Sequence, residues 1–151
     1  MDETYLKVAG RWVYLYRAID QRRQVLMSWP RRSGIWRQLA GFFARALKAA
    51  RRPTEVSTDR APTYPRVLDE LVPQACHMVE QYANNPIESD HGRLRARTRP
   101  MRGFKELRNA QVVGGGHAFV QNLRRGHYEL GRDTEPGRRL EMIFTDLALA
   151  I

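Results

Sequence analysis

Tyr82-Ala83-Asn84-Asn85-Pro86-Ile87-Glu88-Ser89-Asp90-His91-Gly92-Arg93-Leu94-Arg95 sets a carboxylate, a histidine and an arginine on one face of a helix. Helical periodicity makes positions 88, 91 or 92, 95 and 99 neighbours. The same residues fit a plain helix start, with Asn85 as N-cap, Pro86 in the first turn and Glu88 at the capping-box position. That reading alone accounts for Glu88 without chemistry. The functional alternative is an acid that holds a divalent ion, followed two turns later by cations that attract a phosphodiester. Asp90 rivals Glu88 as that acid but points off the face, and His91 suits either an outward contact or helix packing.

Working outward, the chain opens with strand-like sequence. Thr4-Tyr5-Leu6-Lys7-Val8 and Trp12 to Ile19 are rich in aromatic and β-branched residues and flank Ala9-Gly10, which predicts a hairpin. Asp20-Gln21-Arg22-Arg23 forms the next turn before a third strand over Gln24 to Ser28. Trp36 to Ala50 has helical spacing, with Leu39, Phe42, Phe43, Ala46 and Leu47 as its apolar stripe. A short strand over Glu55 to Thr58 ends on Asp59, and Pro65 opens a short helix through Leu71. Cys76 to Val79 is a further strand. Pro100 stops or kinks the Glu88 helix, and Phe104 to Arg125 is the last long apolar-periodic segment. Strands and helices in this order predict an α/β fold around a mixed sheet.

Composition narrows the partners. In 151 residues, 26 Lys and Arg against 16 Asp and Glu leave a net charge of +10. An apolar fraction of 42% supports one domain with a hydrophobic core. A polyanion is the leading partner, and nucleic acid is favoured over membrane because no apolar run approaches the roughly 20 residues that span a bilayer. Met1-Asp2-Glu3-Thr4 does not begin a secretory signal, so a cytoplasmic, nucleoid-associated protein is expected. The single cysteine, Cys76, excludes an intramolecular disulfide and is expected to be a buried apolar residue. His77, His91, His117 and His127 share no zinc-ligand spacing.

Several ordered motifs together resemble one family. Asp2-Glu3-Thr4-Tyr5-Leu6-Lys7-Val8, Tyr14-Leu15-Tyr16-Arg17-Ala18-Ile19-Asp20, Thr58-Asp59, Tyr82-Ala83-Asn84-Asn85, Ile87-Glu88 and Asp90-His91 are similar to bacterial transposases of the insertion-sequence-six group. Arg99 to Phe104 and His117 to Gly126 extend the likeness over nearly the whole chain. The resemblance implies a DDE catalytic domain with a ribonuclease-H-like mixed sheet flanked by helices. It implies that Asp2, Asp59 and Glu88 form the catalytic, metal-binding triad for two Mg²⁺ or Mn²⁺ ions, whose preference for hard oxygen ligands suits carboxylates. Water would first free a 3′-hydroxyl at the element's end, and that hydroxyl would then attack target DNA. Arg95 stands where the family places a basic phosphate contact, with Arg93 and His91 as further candidate DNA-binding residues. Element ends and target DNA are the implied partners, together with other transposase subunits in a homo-oligomer.

Departures from the family carry their own expectations. Complete members have an N-terminal helix-turn-helix region before the first catalytic strand, so residues 1–151 are expected to be a single catalytic domain without it. Residues 27–41 fit poorly. A codon series for Asp-Leu-Ala-Ala-Ala-Arg read one nucleotide out of phase yields Ile-Trp-Arg-Gln-Leu-Ala, as residues 35–40 have it, which points to a compensated frameshift restored near Phe42; ordinary loop divergence is the alternative. Gly114-Gly115-Gly116 weakens a helix by about 1 kcal/mol per glycine relative to alanine and marks a hinge or decay in the helical part, 104–151. Beside an active transposase core stand two other readings: an inactive fragment, and a non-catalytic basic module that binds DNA or transposase subunits.

Overall fold

The computed structural model describes residues 2–31, 36–49, 52–58, 61–79 and 85–150. The opening hairpin forms as its sequence requires: β1 (Asp2–Val8) and β2 (Arg11–Ile19) pair antiparallel, with Tyr5 opposite Tyr14 and Lys7 opposite Trp12. Ala9 and Gly10 take φ of 49° and 77°, the left-handed pair that lets a two-residue turn match the twist of its strands. At the next turn, Asp20 Oδ1 accepts hydrogen bonds from the backbone N–H groups of Arg22 at 2.9 Å and Gln24 at 2.8 Å. β3 (Val25–Arg31) follows and runs past Ser28, through Pro30. A proline without N–H is tolerated there because β3 lies at the end of the described order β1-β2-β3.

Strand alternation divides the core in two. Leu6, Val8, Val13 and Leu15 face one way, against Leu94, Phe104 and Ala110. Tyr16 and Ala18 face the other way, among Leu39, Phe42, Phe43, Tyr64 and Val67. Each fully buried side chain of this size contributes about 1.5–3 kcal/mol. Helices therefore cover both faces of the sheet: α1 (Trp36–Ala49) and α2 (Tyr64–Leu71) on one side, α3 (Asn85–Thr98) and α4 (Leu107–Arg125) on the other. The expected stripe of α1 is the buried one, with Phe42 fully inaccessible.

β4 (Glu55–Ser57) and β5 (Cys76–Met78) pair in parallel as a separate two-stranded ladder, so both strand directions are present. Cys76 corrects its expectation, being exposed; a three-residue strand has too little cover to bury its first residue. Pro100 stops α3 within a 3₁₀ turn, Arg99–Met101. The chain then returns to the hairpin, where Phe104 N–H donates to the Lys7 carbonyl at 2.8 Å and Ala9 N–H to the Phe104 carbonyl at 2.7 Å.

α4 continues unbroken through Gly114-Gly115-Gly116, with no hinge. A Cβ on Gly114 would stand 3.1 Å from Ser28 Oγ, so this glycine lets the helix close onto β3. The last helix, α5 (Arg139–Leu149), buries Ile143 and lies within the helical part expected over 104–151. Of the 27–41 segment, residues 32–35 lie outside the described residues, and its flanks are a regular strand and helix. No described helix is long and apolar enough to cross a membrane.

Candidate active site

Glu88 occupies the first turn of α3 and is exposed. Asp2 opens β1 at the register position opposite Arg17. The side chain of Asp2, the whole of Asp59 and the segment Tyr82-Ala83-Asn84 lie outside the described residues. Among the described residues, no three His, Cys, Asp or Glu side chains come together in a way that could hold a metal ion.

Two residues on from Glu88, a buried ion cluster centred on Asp90 anchors α3. Arg17, from β2, forms an ion pair through Nη2 with Asp90 Oδ2, and both side chains are wholly inaccessible. Arg125, near the end of α4, donates from Nη2 to Asp90 Oδ1 at 3.0 Å, and His117 Nε2 stands 3.8 Å from the same oxygen. Burial pushes the Asp90 carboxyl up, but His117, Arg17 and Arg125 outweigh it and hold the group below the usual carboxylate range. Burial lowers Arg17 from its ordinary value, with Asp90 opposing. Arg125 also donates through Nη1 to the Arg23 carbonyl, so it ties α4 to the β2–β3 turn instead of only capping a helix dipole. Sequence reasoning missed this cluster because a carboxylate between Glu88 and His91 looks solvated until Arg17 is brought beneath it.

A second tie joins α3 to β1. Arg95 Nε and Nη2 both donate to Thr4 Oγ1, at 2.9 and 2.6 Å, and Thr4 is fully buried. The two ties fix the direction of α3. Its C-terminal half lies by Thr4 and Leu6, and Asp90 lies by Arg17, the residue opposite Asp2. The first turn, with Glu88, is thereby carried to the Asp2 end of β1.

The other candidate residues have definite places. Arg93 Nη1 donates to Gln121 Oε1 on α4 at 3.4 Å. His91 is 2% exposed, a helix-packing position. Arg97 and Arg99 are exposed on α3 and the turn that follows. At the end of β4, Thr58 N–H donates to the Met78 carbonyl at 3.1 Å, and Thr58 Oγ1 shares a 2.7 Å hydrogen bond with His77 Nε2. These bonds hold the backbone immediately before Asp59.

The fold, with strands of both directions covered by helices on two faces, is of the ribonuclease-H-like class. It is similar to one chain of the simian T-cell lymphotropic virus intasome, solved by cryoEM with PP2A regulatory subunit B56 gamma, at a TM-score of 0.62 and 14% identity over 80% of this chain and 46% of that one. A DDE domain model matches residues 1–127, and the chain belongs to this family, the DDE-domain transposases of the insertion-sequence-six group. Among curated relatives, a transposase for the insertion sequence-like element IS431mec of Staphylococcus aureus is 32% identical over 114 residues, which is 72% of this chain and 51% of the relative. A transposase for insertion sequence element IS257 in transposon Tn4003, from the same species, matches to the same extent. The chain thus spans about half the length of the curated relatives it matches. Members of the family generally use divalent metal ions.

Proposed function

We propose that this chain is the catalytic core of a transposase that cleaves DNA and joins strands by metal-dependent transesterification. Asp2, Asp59 and Glu88 would hold two Mg²⁺ or Mn²⁺ ions. The observation that supports this reading best is the pair of ties, Asp90 to Arg17 and Arg95 to Thr4, which carry Glu88 to the strand end that begins with Asp2. Three carboxylates are hard oxygen donors of the kind these ions prefer. When bound, the ions would lower the pKa of an attacking hydroxyl and stabilise charge on the leaving oxygen.

The chain's own residues supply position and charge. Exposed Arg97 and Arg99 attract the phosphodiester without regard to sequence. Arg95 spends two donors on Thr4, so its main role is to orient α3, with phosphate contact left to its remaining Nη1. In each step the oxygen of water (cleavage) or of a 3′-hydroxyl (joining) bonds to phosphorus as the bond to a 3′-oxygen breaks; the nucleophile's proton passes to solvent and the departing 3′-oxygen takes one up. No covalent link to the protein forms. DNA ends and target DNA are the proposed substrates, a homo-oligomer or assembly with longer transposase subunits the proposed working form, and the bacterial nucleoid its place.

Asp59→Asn tests this reading. It should abolish Mg²⁺- or Mn²⁺-dependent cleavage and joining of a labelled DNA end while leaving the circular dichroism spectrum unchanged. Activity that survives the substitution would refute it. Salt-sensitive DNA retention by a wild type that lacks activity would instead support the non-catalytic basic module, to which the net charge of +10 also points.

A further inference from the structure

The tip of the first hairpin presents exposed aromatic rings, Trp12 and Tyr5, beside a partly buried third, Tyr14. Register places Tyr5 opposite Tyr14 and Lys7 opposite Trp12, and alternation sets all four on the face that α1 and α2 cover further along. Among the described residues the helix-side core packs on Tyr16, Ala18 and part of Tyr14, while Trp12 is 67% exposed and Tyr5 47%. The rings of Tyr5 and Tyr14 lie 5.0 Å apart, Tyr14 stacks on Tyr16 at 6.1 Å with 12° between planes, and Tyr16 meets Phe42 at 5.8 Å. Tyr5 and Tyr14 are therefore braced by a continuous ladder of rings that runs into the core.

We propose that Tyr5, Lys7, Trp12 and Tyr14 form a stacking platform for unpaired DNA bases, apart from the proposed metal site. Contiguous exposed aromatic rings mark a contact surface where single ones do not, and the charge beside them selects the partner. Lys7 sits within the block and is exposed, while Arg11, exposed beside the turn, alternates onto the opposite face. Glu3, the acid on this face, is one cross-strand pair further in, opposite Tyr16. Rings give π-faces that any base can stack on, and Lys7 is placed to take a phosphate between them. Trp12 and Tyr14 are separated by about 6.8 Å along β2, twice the 3.4 Å repeat of a stacked strand, so the two rings can engage alternate base steps.

The test is anisotropy of a labelled short oligothymidine with the full chain in EDTA, where no metal-dependent reaction can occur. Trp12→Ala should weaken single-strand binding by about 5- to 100-fold, leave a duplex of equal length bound as before, and leave the salt slope unchanged. Trp12→Phe should restore most of the affinity. Lys7→Ala should lower the salt slope by about 0.7. Because Trp12 is so exposed, its replacement spares the fold. Unchanged single-strand affinity in Trp12→Ala, equal loss for duplex and single strand, or a change in self-association without a change in DNA affinity would each overturn the proposal.

Discussion

Replacing Asp90 by alanine tests how α3 is held, because it removes the one anion between two guanidiniums. Arg17 and Asp90 are both fully inaccessible, and Arg125 approaches the same carboxylate to 3.0 Å. At that separation and an effective dielectric of about 20, one pair attracts by roughly 5 kcal/mol before desolvation is subtracted. Removing one member of a buried pair typically costs about 3–5 kcal/mol, since the remaining charge keeps its desolvation penalty and loses its partner. For a chain of this size that corresponds to a fall in Tm of about 6–20 °C. Urea denaturation followed by circular dichroism would measure it, with the double replacement Arg17→Met, Asp90→Leu as the control expected to recover most of the loss. The pH dependence has a definite sign. The folded carboxyl titrates below its ordinary value of 3.8, so its contribution is complete above that value and is lost as pH falls through the folded pKa. Asp90→Ala should lack this acid limb. A loss under about 1 kcal/mol for the single replacement would refute the idea that this cluster anchors α3.

Other expectations follow from single contacts. Thr4→Val removes the acceptor of Arg95 at a site DNA cannot reach; it should lower stability by about 1–3 kcal/mol and reduce joining activity, whereas Arg95 acting only on phosphate predicts no effect on activity. Gly115→Ala should raise stability by about 1 kcal/mol in urea denaturation, because a Cβ there meets nothing within 4 Å. Gly114→Ala should gain less or lose stability, since its Cβ would crowd Ser28 Oγ at 3.1 Å. Burial lowers the His127 pKa from 6.5 despite the nearby Asp20. Its imidazole resonances should therefore titrate below 6.5 by NMR, and stability should fall as pH drops below that value, a loss absent in His127→Gln.

Much of this architecture was legible because local signals agreed. Ala9-Gly10 between alternating apolar runs specified the hairpin, the Leu39 to Leu47 stripe specified α1, and Pro65 and Pro100 marked a helix start and a helix end. What escaped the sequence was tertiary. Asp90 and Arg17 each look like ordinary surface charges, and only packing of α3 on β2 reveals them as a buried pair. Arg95 was legible as a cation beside phosphate, but not as a fork around Thr4. Gly114 suggested a break in a helix, and close approach to β3 explains it instead. Cys76 misled because burial of a cysteine depends on the cover above its strand, which a two-stranded ladder of three-residue strands does not provide.

The proposed convergence of residues 2, 59 and 88 on one metal site is tested most directly by paramagnetic broadening. Mn²⁺ titrated into isotopically labelled chain should first erase the amide resonances around Asp2, Asp59 and Glu88, and Asp59→Asn should abolish that selectivity. The open C-terminal cleft is also lined by acids, Asp133, Glu135, Glu141 and Asp146, with Arg138 among them and, among the described residues, no cluster that could hold a metal ion. Broadening that begins there, and spares residues 2, 59 and 88, would rule out a shared metal site at those three residues.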